Sequence, residues 1–168
     1  MTLHLRNAGT SLVVDTPGDR FPVVRHWGAD LGDLSATALE DAATAARTSL
    51  GTNTAWILND LPILPLAHLG WSARPAVGLH RSDGTSFSFH PETVTHTAGR
   101  DEAAVGTVHT LTSTGTDPAH GVTVVCELRL EASGLVRVRA GVHNDAQGRD
   151  DLDPTLFVDE VTPYLPLP

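Results

Sequence analysis

The chain has 168 residues, 40% of them hydrophobic and 18% charged, which is enough to bury the core of one domain and unlike either a disordered tail or a membrane-spanning protein. Its formal net charge is -9, and all 11 basic residues are arginine, so its surface repels nucleic-acid backbones and anionic lipid and neither is an expected partner. Cys126 is the single cysteine, which excludes an intramolecular disulfide and a cysteine-rich zinc site. The opening Met1-Thr2-Leu3-His4-Leu5-Arg6 lacks the order of a secretory signal, and the expected location is the cytoplasm.

In chain order, Leu3-His4-Leu5, Ser11-Leu12-Val13-Val14 and Pro22-Val23-Val24-Arg25-His26-Trp27 read as strands. They are joined at Asn7-Ala8-Gly9 and Thr16-Pro17-Gly18-Asp19, as in an antiparallel meander. Residues 35–47 break the pattern. They are alanine-rich, open with a capping Ser35, and place acids before Arg47, which predicts one short inserted helix near residues 35–48. Pro62 and Pro65 bar residues 61–66 from a central strand and predict an edge or an extended loop. Two more strands are read at residues 85–89 and 105–112.

The clearest signal is the pair 122–131 and 135–142, joined by Ala132-Ser133-Gly134. Cys126, Leu128 and Leu130 alternate with Glu127, Arg129 and Glu131, and Val136 and Val138 alternate with Arg137 and Arg139. Period two gives each strand one buried and one wet face, and the short glycine-containing link makes a hairpin. The acids and arginines of the wet face are expected to pair across it. Short strands of uneven length, interrupted by a helix, predict a mainly β, two-sheet antiparallel β-sandwich over residues 1–168 as a single domain.

Chemistry is sparse. No nucleophile elbow, phosphate-binding glycine loop or His-Glu-x-x-His zinc motif is present. Cys126 lies among valines, where a thiol stays protonated and inert. Of nine histidines, His80 and His90 are separated by a turn that lets them face one another, and the other seven are scattered, so no metal site is expected. The acidic run Asp150-Asp151-Leu152-Asp153 lacks the glycine and terminal glutamate of a calcium loop and reads as a solvated turn before a strand. No carboxylate pair is placed for glycoside hydrolysis, so no catalytic residue and no cofactor is assigned.

What does stand out is aromatic and basic. Arg25-His26-Trp27-Gly28 and Gly70-Trp71-Ser72-Ala73-Arg74-Pro75 set tryptophan beside arginine and glycine, a combination suited to stacking on a sugar face and bonding its hydroxyls. Trp27 follows an apolar run and reads as core. Trp71 sits in a loop context that leaves a core role and an exposed one both open.

These same residues carry a resemblance. Leu3-His4-Leu5-Arg6, Ser11-Leu12-Val13-Val14 and the run from Pro22 through His26-Trp27-Gly28-Ala29-Asp30-Leu31-Gly32 resemble the start of actinobacterial α-galactosidases of glycoside hydrolase family 36. Gly70-Trp71-Ser72-Ala73-Arg74-Pro75 with Gly78-Leu79-His80-Arg81 is similar to that family's loop between sandwich strands, and the segment from Val161 to Pro168 resembles its last sandwich strand.

The resemblance implies an N-terminal β-sandwich that precedes a catalytic (β/α)₈ barrel. The aspartate nucleophile and acid/base belong to that barrel, so this segment alone is not catalytic. It also implies partners: the downstream barrel, neighbouring subunits of an oligomer, and galacto-oligosaccharide reaching the rim of the site. Trp71, Arg74 and His80 are the rim candidates it selects. Some relatives carry an aspartate in the loop where this chain has Ser72-Ala73. The alternatives are a freestanding carbohydrate-binding module built on Trp71, Trp56 and His80, and a structural interaction domain.

Overall fold

A computed structural model describes residues 1–47, 60–104 and 106–165. Trp56, Val105 and the final three residues lie outside the described residues. The chain is mainly β and antiparallel, as the periodicity predicts. Strands β1 (Thr2–Asn7), β2 (Thr10–Asp15) and β3 (Val23–Ala29) form a meander in that order. Its first turn is the two-residue type in which both central residues have positive φ, here 45° at Ala8 and 77° at Gly9. Helix α1 (Ala36–Ala45) follows, then a single 3₁₀ turn (Ala67–Leu69).

Strands β4 (Val77–Arg81), β5 (Ser86–Phe87) and β10 (Leu156–Val161) make a second sheet ordered β10-β4-β5. Strands β6 (Thr93–Ala103), β7 (Gly106–Asp117), β8 (Val122–Leu130) and β9 (Val136–Asn144) form the largest sheet, in sequence order.

Strand β8 is the clearest translation of sequence into structure, its residues alternating strictly between buried and half-buried from Val122 to Leu130. Val122, Val124, Cys126, Leu128 and Leu130 line the core with 1% exposure or less. Opposite them lie Leu5, Leu12 and Val14 of the meander, Val77 and Leu79 of β4, and the loop residues Ile63, Leu64 and Leu66, all in one cluster. Each such Leu or Ile contributes about 2 kcal/mol by leaving water. On the wet face, Arg139 Nε lies 3.0 Å from Glu127, and Arg137 Nε lies 3.7 Å from Glu131, the cross-strand pairing that the alternation predicts.

The layer facing the four-stranded sheet is split into two three-stranded sheets. The segment 61–66 lies between them as an extended loop whose prolines cannot extend a ladder. Ile63 bridges it on both sides, donating its N–H to Pro22 O at 2.8 Å and accepting from Tyr164 N at 2.7 Å. The loop is thus part of the core and not a surface connection.

Helix α1 begins where Ser35 predicts, its hydroxyl accepting from Ala38 N at 3.2 Å. The charge gradient does not follow. No acid lies in the first turn and no base in the last, and Arg47 falls beyond the cap at Ala46. The Arg47 guanidinium lies 3.6 Å from Asp15 instead.

The β8–β9 turn supplies a stability test. Gly134 has φ 83°, and a Cβ there would lie 2.7 Å from Thr10 Oγ1 and 3.2 Å from Asn7 O. Gly134→Ala therefore combines left-handed strain with overpacking against the β1–β2 turn, an expected loss of about 2–3 kcal/mol, read as a lower urea midpoint at unchanged slope.

Candidate functional site

Of the three rim candidates from the sequence, Arg74 and His80 reach strand β10, and Trp71 is bonded to Arg74 within its own loop. Residues 70–75 are a loop, as Gly70 and Pro75 suggest, and Gly70 takes φ 84° to end the 3₁₀ turn. The Trp71 indole N–H donates to Arg74 O at 2.9 Å, so the loop is closed on itself. The indole is half-buried and does not join the core cluster, in contrast to Trp27, which packs against it. Arg74 extends to the β10 carboxylate Glu160 and forms an ion pair, its own side chain largely exposed.

His80 is not in a loop. It lies on β4 between buried Leu79 and Arg81, because Val77, Leu79 and Arg81 take the core side and leave His80 on the other. Its Nδ1 lies 2.9 Å from Asp159 Oδ2, and its ring stacks on Phe157 with centroids 4.9 Å apart and planes 8° apart. That stack follows from register, since Phe157 and His80 are direct cross-strand partners. A recess of about 180 Å³ opens beside them, lined by Pro75, Gly78, Ser86, Phe87 and Asp159.

His80 and His90 do not face one another. His90 stacks instead on His68 at 4.2 Å and 19°. Burial, and then the nearby His90, holds the His68 pKa below its ordinary value, which keeps that ring neutral. Sequence reasoning missed the β10 side of the site, namely Phe157, Asp159 and Glu160. The run Leu156-Phe157-Val158 just after Pro154 was the available signal for a strand there.

Elsewhere the charged groups are structural. Arg25, adjacent in sequence to His26 and Trp27, turns inward and binds Asp15 at 2.7 Å and Asp60 at 2.5 Å with a side chain only 6% exposed. The Cys126 thiol is buried and pushed up to about 12 by desolvation and then by Glu127, which leaves negligible thiolate at neutral pH. In the acidic turn, Asp151 pairs with Arg149 at 2.6 Å, and Asp153 accepts from Ser82 N at 3.1 Å and Thr155 N at 2.8 Å. Among the described residues no three His, Cys, Asp or Glu side chains converge as metal ligands would, and no helix is long and apolar enough to cross a membrane.

The arrangement thus offers an aromatic ring, an imidazole, two carboxylates and an arginine along one edge of a sheet. Such groups suit contact with a polar surface or a sugar. Both carboxylates are engaged by bases, so neither is presented as a free acid or nucleophile.

No curated protein matches the chain. Among solved structures, a variant of the GH36 α-galactosidase AgaA from Geobacillus stearothermophilus in complex with 1-deoxygalactonojirimycin matches with a TM-score of 0.59 at 16% identity, covering 86% of this chain and 22% of that one. AgaB from the same organism gives 0.52 at 14% identity over 85% and 21%. The α-galactosidase from Lactobacillus brevis gives 0.53 at 13% identity over 83% and 21%. At these identities the likeness establishes the fold, and the chain spans about a fifth of each enzyme's length. The family described as the glycosyl hydrolase family 36 N-terminal domain matches residues 20–158, most of the chain, and the chain belongs to that family.

Proposed function

We propose that this chain is the non-catalytic N-terminal domain of an α-galactosidase, a parent enzyme that removes terminal α-D-galactosyl residues. The observation that carries this reading is the family match over residues 20–158. Residues 1–168 act as one domain that supports a downstream (β/α)₈ barrel in the cytoplasm, within an oligomer. The Trp71 loop, tied to β10 through Arg74 and flanked by His80, borders the galactose site of its own or a neighbouring subunit.

The test compares two proteins. Residues 1–168 are expected not to hydrolyse an aryl α-galactoside above buffer, and the polypeptide from the complete gene is expected to do so. Turnover by the short chain that survives repurification and vanishes with one Asp or Glu substitution would refute the reading. A complete gene product without a glycosidase domain would refute it equally.

A further inference from the structure

Strand β10 departs from the alternation that β8 keeps throughout. Successive residues of a strand point to opposite faces, so a sandwich strand buries every second side chain. In β8 the alternation is complete. In β10, Phe157 is 47% exposed and its neighbour Val158 is 52% exposed, so at this point neither face of the strand is in the core. The other exposed large apolar residues among those described, Met1, Leu31 and Leu135, stand apart in sequence. Scattered single residues of that kind need no explanation, whereas an adjacent pair spanning both faces of a strand marks a surface that something covers.

The geometry also says how it is covered. Strand β10 is one of the two outer strands of its sheet, and its register slips between Val158 and Glu160, leaving Asp159 as an extra residue. Such a bulge bends an edge strand and spoils it as a template for another strand, so contact comes through side chains and not through an added ladder. His80 stacks on Phe157 and fixes its ring, which lowers the entropy cost of docking on it.

A second copy of the chain fits poorly. Two copies meeting about β10 would bring together two chains that each carry a net charge of -9. An apolar face ringed by basic groups fits well. In the solved enzymes that share this fold nearly four-fifths of the length lies outside the matched region, since the chain covers 22% of one and 21% of another.

We infer that Phe157 and Val158 are the contact through which this domain seats on the remainder of the parent glycosidase chain. The inference rests on the proposed reading of the chain as an N-terminal domain.

Thiol labelling tests it against a quiet background, because Cys126 is buried and its thiol is protonated. Val158→Cys and, as a distant control, Leu135→Cys are introduced into residues 1–168 and into the complete gene product. In the short chain both thiols should react with a maleimide as exposed groups do. In the complete protein Val158→Cys should slow by at least about ten-fold while Leu135→Cys does not change.

Equal rates at Val158→Cys in the two proteins would overturn the inference and leave the α-galactosidase reading intact if the complete protein is active. Equal slowing at both sites would overturn it as well. Protection in the short chain that grows with concentration would assign the surface to a second copy and overturn it too. A complete protein without α-galactosidase activity, yet with Val158→Cys selectively protected, would remove the activity reading and keep the docking surface.

Discussion

Arg25→Ala is expected to lower folding stability by about 3 kcal/mol, because it strips two carboxylates of a buried partner. Only 6% of the Arg25 side chain is exposed, and it reaches Asp15 on β2 and Asp60 just ahead of the loop at 61–66. Without it, Asp15 keeps the Thr2 hydroxyl at 2.6 Å and a more distant Arg47, and Asp60 loses its closest cation. The effect carries a pH signature.

For Asp15, burial pushes the pKa up, but the Thr2 hydroxyl and Arg25 outweigh it and leave the pKa below the ordinary 3.8. Asp60 is held below 3.8 chiefly by its bond to Arg25. A carboxyl with a depressed folded pKa releases its proton more readily in the folded chain, so the unfolded chain binds more protons near and below pH 3.8. The stabilisation is therefore complete above about pH 5 and is lost as pH falls through the folded values. The gap between wild type and Arg25→Ala should be widest near neutrality and narrow from about pH 5 downward, measured as urea midpoints across pH. A gap independent of pH would show that Arg25 acts by packing alone. Arg25→Met with Asp15→Asn should recover part of the loss, since no charge is then left without its partner on β2.

Arg25 also marks where sequence reading stops. Its place after Val23 and Val24 fixes the strand, and period two fixes which face each residue takes. Nothing local reveals that Asp60, 35 positions away, will meet it. The same division runs through the molecule. The β8–β9 hairpin is legible almost to the residue, because Cys126, Leu128 and Leu130 alternate without interruption and Gly134 supplies the turn. Helix α1 is legible from Ser35 and its alanines, while the dipole argument built on Arg47 fails because the helix ends at Ala45, two residues before it.

Strand β4 is harder to see. Gly78 weakens it as a strand by propensity, and its core residues Val77 and Leu79 are followed by Arg81, a buried arginine that bonds Asn144 at 3.0 Å. Strand β6 hides in the same way: Thr93-Val94-Thr95-His96-Thr97 is β-branched but polar, and only Val94 of it is deeply buried. At the candidate site, Trp71 and Arg74 could be picked from the sequence by residue type, and His80 through the resemblance. Their partners on β10 could not, since Glu160 and Asp159 reach them only through long-range pairing.

Trp71→Ala tests what that site is for, and the structure narrows the outcomes. The indole is half-buried, stands outside the core cluster, and makes one hydrogen bond within its own loop. Truncation should remove that bond and some loop packing, about 1–2 kcal/mol of stability, well short of the 3–5 kcal/mol typical of a core tryptophan. If the loop borders the galactose site in the parent enzyme, the same change should remove a stacking contact on substrate. A loss of about 1–3 kcal/mol of transition-state binding corresponds to roughly 5- to 150-fold in kcat/KM. Arg74→Ala serves as the companion variant. It breaks the tie to Glu160 but leaves the Arg74 carbonyl, so the indole bond can persist while the loop loses its anchor to β10. Kinetics per folded molecule, measured beside the melting temperature, separate the roles. A large fall in kcat/KM with a small fall in Tm for Trp71→Ala, and a weaker kinetic effect for Arg74→Ala, would place the indole at the substrate and the arginine behind it. Unchanged kinetics in both variants, with only Tm reduced, would leave the loop as a structural tie between the 3₁₀ turn and β10 and would remove Trp71 from the rim of the site.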